Sequence, residues 1–161
     1  MKTRMAATLA LAAAVMVGVS GCTFSANIAT QKEYDPSDGV GTTIEQVSVR
    51  NAMLIGETND ELNLVMTVAN NSDEQQTLTV QWESNGARET ETVTLEPLGL
   101  TRVGGPDDEQ SIIVTGTGAT MGGLHPIFFT YGEAEGSEIL VPVLDGSLPE
   151  YELFVPSAIE R

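Results

Sequence analysis

Few side chains in this sequence can carry nucleophilic or metal chemistry, and they lie far apart. The chain of 161 residues has one cysteine, Cys22, and one histidine, His125. A cysteine thiolate is a nucleophile, while thioether sulfur and imidazole are ligands that copper(I) accepts. Met121 precedes His125 by four residues in a glycine-rich stretch, where both side chains are expected to be exposed. This pair is a weak candidate metal site, and the alternative for His125 is a turn residue before Pro126.

The N-terminal residues indicate export. Lys2 and Arg4 precede an apolar run from Met5 to Val19, which is short for a membrane span and is typical of a secretory signal. The run ends in Val19-Ser20-Gly21-Cys22, which resembles the lipobox of bacterial lipoproteins. The resemblance implies cleavage between Gly21 and Cys22 and a diacylglycerol on the Cys22 thiol. The protein is then expected at the cell membrane, lipid-anchored on the extracytoplasmic face. The alternative is an ordinary cleavable signal followed by an incidental cysteine.

The net charge of the chain limits the partners that it is expected to bind. Seven Lys and Arg residues oppose 23 Asp and Glu residues, a net charge of −16, and removal of the signal makes the mature chain more acidic still. Nucleic acid is not expected as a partner, because phosphate binding requires a basic surface. The same charge repels anionic lipid headgroups, so membrane contact is expected through the lipid on Cys22. The acidic residues are scattered, which favours a role in solubility over recruitment of cations or basic partners.

No pattern of catalytic residues stands out. The sequence has no Gly-x-Ser-x-Gly elbow, no His-Glu-x-x-His motif and no phosphate-binding glycine loop in a strand–turn–helix setting. Met66 falls on the inward face of an alternating segment, which favours core packing over metal binding. We therefore expect no enzymatic activity, no cofactor and no metal site, with Met121 and His125 as the weak exception.

The chain is predicted to hold one domain behind a tether. Residues 1–21 form the signal peptide, and residues 22–43 carry the lipidated cysteine and a polar stretch without hydrophobic periodicity that is typical of a flexible tether. Residues 44–147 hold the folded domain. Residues 148–161 contain Pro149 and Pro156 and are predicted to form an irregular tail that packs on the domain.

The domain has the pattern of an antiparallel β protein. Apolar and β-branched residues come in short runs with turn signals between them, and Asn85-Gly86 predicts a hairpin turn. Strands are predicted at 44–55, 61–69, 76–83, 89–95, 98–103, 111–115, 126–131 and 138–144. Alternation places Leu62, Leu64, Met66, Val68, Leu78, Val80 and Trp82 on inward faces. This set predicts an all-β fold, a single antiparallel β-sandwich.

Three segments resemble the periplasmic copper chaperone family PCu(A)C. Leu64–Glu74 is similar to the Met-Thr-x-x-Asn-x-x-Asp-Glu strand and turn of the family, Thr94–Gly99 to its strand and Pro-Gly turn, and Ile139–Val143 to its closing strand. The resemblance spans residues 44–144 and implies a cupredoxin-like or immunoglobulin-like sandwich. The two pairs of His and Met that bind copper in the family are expected near 84–91 and 110–114, which contain neither residue. The resemblance therefore implies the scaffold without the copper ligands.

A second resemblance covers nearly the whole chain. The lipobox, Val49-Arg50-Asn51 and the ending Pro142–Tyr151 look like a group of actinobacterial cell-envelope lipoproteins of unassigned role. This resemblance implies an envelope location and supplies no mechanism. We therefore expect a membrane-anchored, non-catalytic module that binds or scaffolds an unknown envelope protein or small ligand. The alternative is a metal-handling lipoprotein that binds copper through Met121 and His125.

We expect the substitution Cys22→Ala to release the protein from membranes, because it removes the one thiol of the chain. Each buried lipid methylene contributes about 0.8 kcal/mol to membrane binding, and the unlipidated chain has no comparable anchor. Membrane fractionation and mass spectrometry of the mature N-terminus test this. The control Ser25→Ala keeps the thiol and should stay in the membrane fraction. An unmodified N-terminus at another residue would contradict the prediction.

Overall fold

The computed structural model describes residues 37–159, together with Arg4 and Ala6. The chain divides into two compact units, residues 1–34 and 35–161, and the second contains the sheet. The predicted cleavage site at Gly21, the lipidated Cys22 and nearly all of the signal peptide lie outside the described residues. Within the described part, no helix is long and apolar enough to span a bilayer.

Nine strands and one short helix are described in the second unit. They are β1 (Val40–Ile44), β2 (Val47–Gly56), β3 (Glu61–Asn70), β4 (Gln76–Ser84), β5 (Ala87–Leu95), β6 (Leu100–Val103), β7 (Ile113–Thr115), β8 (Leu124–Tyr131), β9 (Ser137–Asp145) and α1 (Pro156–Ile159). The order in the sheet is β5-β4-β8-β9-β2-β3-β6, with β1 added to β2 and β7 added to β3. The predicted all-β class is confirmed.

One pair of strands departs from the predicted antiparallel arrangement. β9 pairs antiparallel with β8 over Ser137–Pro142, and its last residues, Val143–Asp145, pair in parallel with Leu54–Gly56 of β2. The result is a curled mixed sheet, and the expectation of a purely antiparallel sandwich is corrected at this pair. A parallel contact of three residues leaves no trace in the local alternation, so the sequence pattern could not reveal it.

The sheet begins before the predicted start of the domain at residue 44. β1 starts at Val40 and pairs with β2, so residues 40–43, predicted as the end of the tether, belong to the sheet. The predicted strand at 44–55 is two strands, because the chain turns after Ile44, where Glu45 takes a φ of 47°. β1 is polar and half exposed, and its backbone pairing gives no hydrophobic signal in the sequence.

The C-terminal segment packs on the sheet through two buried side chains. Residues 148–155 form turns and bends, and α1 follows. Tyr151 and Val155 lie in a small cluster with Met53 and Ile55. The Tyr151 hydroxyl donates to the Asp38 carboxylate, and this hydrogen bond raises the pKa of Tyr151 to about 12. The segment predicted as an irregular tail therefore contains a helical turn. Its Tyr151 is hydrogen-bonded to Asp38, two residues before β1 begins.

The predicted inward faces form the main core. Leu62, Leu64, Met66, Val68, Leu78, Val80 and Trp82 are all buried there. Full burial of a large apolar side chain contributes roughly 1.5–3 kcal/mol. The core fixes the registers of β3 and β4, since a slip by one residue would turn these side chains to solvent. The hairpin turn also forms as predicted, with φ of 52° at Asn85 and 80° at Gly86, the left-handed conformation that a type I′ turn requires.

Candidate functional site

His125 lies inside the sheet. β8 begins at Leu124, and His125 pairs with Val141 of β9. Leu124 and Pro126 are exposed on the outer face, and His125, which alternates with them, exposes 7% of its surface. The expectation that His125 is a turn residue in an exposed loop is therefore corrected. The physical reason is that the strand extends beyond Pro126 toward the N-terminus, which turns His125 to the interior.

Two buried ring nitrogens lack partners at this end of the sheet. Neither His125 Nε2 nor Trp82 Nε1 has a hydrogen-bond partner among the described residues. Both side chains are buried, His125 on β8 and Trp82 on β4, and these two strands pair with each other over Leu78–Gln81 and Phe128–Tyr131. Burial lowers the pKa of His125, and the nearby Glu83 carboxylate opposes this in part. The imidazole is therefore neutral near pH 7, which is the form that ligates metals.

Met121 is half buried and packs against the main core. Its backbone N–H donates to Asn59 Oδ1 at 2.9 Å, and the following glycines hydrogen-bond to Val143 of β9. The next inward residues of β8 after His125, Ile127 and Phe129, belong to the same core. The structure thus packs Met121 against the main core, while Met53 lies in the separate cluster with Tyr151.

No group of three or more His, Cys, Asp or Glu side chains among residues 37–159, Arg4 and Ala6 is arranged to hold a metal ion. Met66 is buried in the main core, as its position on the alternating face predicted. The soft-ligand candidates are therefore the single thioether of Met121 and the single buried nitrogen of His125. This pair offers fewer donors than tight copper(I) binding requires unless a further ligand joins it.

A cleft of about 850 Å³ opens between β5 and β6, the strands at the two ends of the sheet. We call it the acidic cleft; its lining residues are Thr67, Thr94, Glu96, Leu100, Thr101, Arg102, Asp107, Asp108, Glu109 and Gln110. Arg102 Nε lies 3.3 Å from Asp108 Oδ1, and the Arg102 side chain is largely exposed. A surface pair of this kind contributes little energy, and four carboxylates facing one guanidinium leave an excess of negative charge.

Buried Asn63 holds the loop that supplies most of these carboxylates. Its Nδ2 donates to the carbonyl oxygens of Gly104 and Phe154, each at 2.7 Å. Gly104 has a φ of 86°, and a Cβ there would lie 2.5 Å from the Leu64 carbonyl oxygen, so the position requires glycine. Asp108 Oδ2 accepts from the N–H of Gly105 at 2.8 Å. The start of the loop is thus fixed against β3.

Gln110 connects the two sides of the acidic cleft. Its backbone carbonyl accepts from the N–H of Gly104, just after β6, at 3.0 Å. Its side-chain amide makes two hydrogen bonds to the backbone of Thr94 in β5, from Thr94 N to Oε1 at 2.9 Å and from Nε2 to the Thr94 oxygen at 3.2 Å. The sequence pattern missed this site. It showed Asp107-Asp108-Glu109 as one of several scattered acidic groups, because the lining residues come from separate segments.

Comparison with known proteins supports the fold. No protein-family model matches the chain, and no curated protein sequence matches it. Solved structures of PCuAC domains are similar: the apo domain from PmoF1 has a TM-score of 0.53 at 14% identity, covering 64% of this chain and 97% of that domain. The apo domain from PmoF2 has a TM-score of 0.51 at 17% identity, covering 67% and 97%. At these identities the likeness shows a PCuAC-like fold.

We expect acid to destabilise the fold through His125. Its folded-state pKa is lowered from the ordinary 6.5, so the unfolded chain binds the proton first as the pH falls. The stability that depends on neutral His125 is complete above pH 6.5 and is lost as the pH falls from there to the folded-state pKa. Urea unfolding at about pH 7.5 and 5.5 should therefore show a larger loss for the wild type than for His125→Asn.

The comparison with His125→Asn removes every contribution to the pH dependence that the two proteins share. Equal changes in the two proteins would show that His125 does not titrate differently on folding.

Proposed function

We propose that this protein is a lipid-anchored, non-catalytic binding module of the bacterial cell envelope, and that the acidic cleft is its binding surface. The observation that carries the proposal is the cleft itself. It gathers Glu96, Asp107, Asp108 and Glu109 around an opening of about 850 Å³, with one exposed arginine opposite them. A solvent-open surface with this excess of carboxylates favours a positively charged ligand or protein segment.

The anchor and the charge act together in this proposal. The lipobox-like sequence ending in Cys22 supports attachment to the membrane, and the net charge of −16 repels an anionic membrane surface. The domain is thereby held near the membrane while its acidic surface remains open to partners. The PCuAC-like fold is compatible with this role, because a fold alone does not fix a function.

Site-specific photo-cross-linking in the intact envelope tests the cleft as the binding surface. A photoreactive residue at Glu109, which lines the acidic cleft, should give a discrete cross-linked product. The same residue at Glu133, an exposed acidic position in the turn between β8 and β9, is the matched control and should give none. Similar products from both positions, or none from either, would contradict the proposal.

A second candidate function is the handling of copper(I) through Met121 and His125. The unpartnered, buried Nε2 of His125 favours it, because a neutral imidazole nitrogen without a hydrogen bond is available as a ligand. Burial opposes this function, since the nitrogen is covered and must be uncovered before a metal can reach it.

Competition against a calibrated copper(I) chelator separates the two candidates. The binding-module proposal predicts no tight complex, with the wild type, Met121→Leu and His125→Asn giving the same competition curve. Met53→Leu is the matched control, because Met53 lies in the other apolar cluster. A tight one-to-one complex that is lost in both Met121→Leu and His125→Asn, and kept in Met53→Leu, would establish copper handling instead.

A further inference from the structure

The end strand β5 has an outer edge that no described residue covers along most of its length. β5 pairs with β4 over all nine of its residues without a break in register. Residues 87–92 are exposed, and β5 stands at one end of the strand order. An exposed edge presents a row of backbone N–H and C=O groups that can pair with another extended chain.

The hydrogen bonds of Thr94 identify which residues face this edge. The backbone N–H and C=O of Thr94 both bond to the Gln110 amide, away from β4. Backbone groups alternate in direction along a strand, and the register is regular, so the N–H and C=O of Arg88, Thr90 and Thr92 also face outward. The groups of Glu89 and Glu91 then face β4.

Gln110 already acts as a short substitute for a neighbouring strand. A primary amide that donates to a backbone oxygen and accepts from the N–H of the same residue reproduces one position of a β-ladder. The Gln110 amide bonds to the backbone of Thr94. The outward backbone groups of Thr90 and Thr92 lie on the same edge and have no such partner among the described residues. The acidic cleft begins at the Gln110 end of this edge.

We propose that the outer edge of β5 between Arg88 and Thr92 binds an extended, basic segment of a partner protein as an added strand, with Lys or Arg at alternate positions. The proposal rests on the proposed binding function and specifies its partner. Backbone pairing provides the binding energy of such additions, and side chains provide the selectivity. Glu89 and Glu91 lie on one face of β5, so basic residues two apart on the added strand stand beside them. Glu96 and the acidic loop extend the negative charge toward the end of the edge.

A second copy of this chain is a poorer occupant of the same edge. Antiparallel pairing centred on Thr90 brings Glu89 of one copy opposite Glu91 of the other, and like charges in this position are destabilising. The net charge of −16 adds repulsion between copies at any register. A basic segment is attracted both by Glu89 and Glu91 and by the net charge of the protein.

The test uses the full mature chain and two labelled, capped peptides, one alternating lysine with threonine and the other alternating glutamate with threonine. Fluorescence anisotropy should show binding of the lysine peptide and no binding of the glutamate peptide. Added salt should weaken the binding of the lysine peptide. Thr90→Pro removes an outward N–H while leaving the bonds to β4, and it should weaken binding at least about fivefold, whereas the control Thr90→Val keeps the N–H and should bind as the wild type does. The double variant E89Q/E91Q should weaken binding and reduce its salt dependence.

Hydrogen exchange separates strand addition from general attraction between charges. On binding the lysine peptide, the amides of Thr90 and Thr92 should gain protection, while those of Glu89 and Glu91, already bonded to β4, should change little. Equal binding by Thr90→Pro and Thr90→Val, no binding of the lysine peptide at about 1 mM, or dimerisation of the protein through this edge would each overturn the proposal. If the acidic cleft binds its partner without strand addition, the cross-link at Glu109 still forms in each of these cases. Failure of the strand-addition proposal is therefore distinguishable from failure of the proposed function.

Discussion

The divided pairing of β9 determines the shape of the sheet. This strand pairs with β8 along its first six residues and with β2 along its last three, so it joins two groups of strands that would otherwise be separate sheets. The sheet curls over the main core, and β5 and β6 remain as its two ends. These ends are connected by a short turn but do not pair with each other. The acidic cleft, the Gln110 bridge and the free edge of β5 all follow from this arrangement.

Two buried asparagines fix the loops that follow the strands beside the acidic cleft. Asn70 Nδ2 donates to the carbonyl oxygens of Glu74 and Glu96, at 2.8 and 3.1 Å, and its Oδ1 accepts from the N–H and hydroxyl of Ser72. Asn70 therefore ties the turn after β3 to the turn after β5, next to the cleft. Asn63 does the same for Gly104 and the C-terminal segment. Asn70 has partners for both its amide nitrogen and its amide oxygen, whereas the buried Oδ1 of Asn63 has none among the described residues. An unsatisfied buried polar group costs about 1–3 kcal/mol, and Asn70 fixes the local geometry without that cost.

The sequence predicts the parts of this fold that depend on local alternation and turn chemistry. The inward faces of β3 and β4 and the Asn85-Gly86 turn follow from side-chain order along a single segment. It does not predict β1, whose pairing depends on backbone groups, or the parallel contact of β9. It also misplaces His125, because Pro126 suggested a strand boundary where the strand continues. Local patterns cannot predict the acidic cleft, because its residues come from separate segments that the fold brings together.

Segment 110–114 has a structural role beside the acidic cleft. The resemblance to the PCu(A)C family predicts one of its His and Met pairs here, and the chain instead has Gln-Ser-Ile-Ile-Val. Ile112 and Val114 are buried in the main core, and Gln110 uses its amide to bond the backbone of β5. Segment 110–114 thus joins the main core to the edge of β5. The carboxylates beside Gln110 suit a cationic, extended ligand better than a copper(I) ion, which prefers sulfur and imidazole.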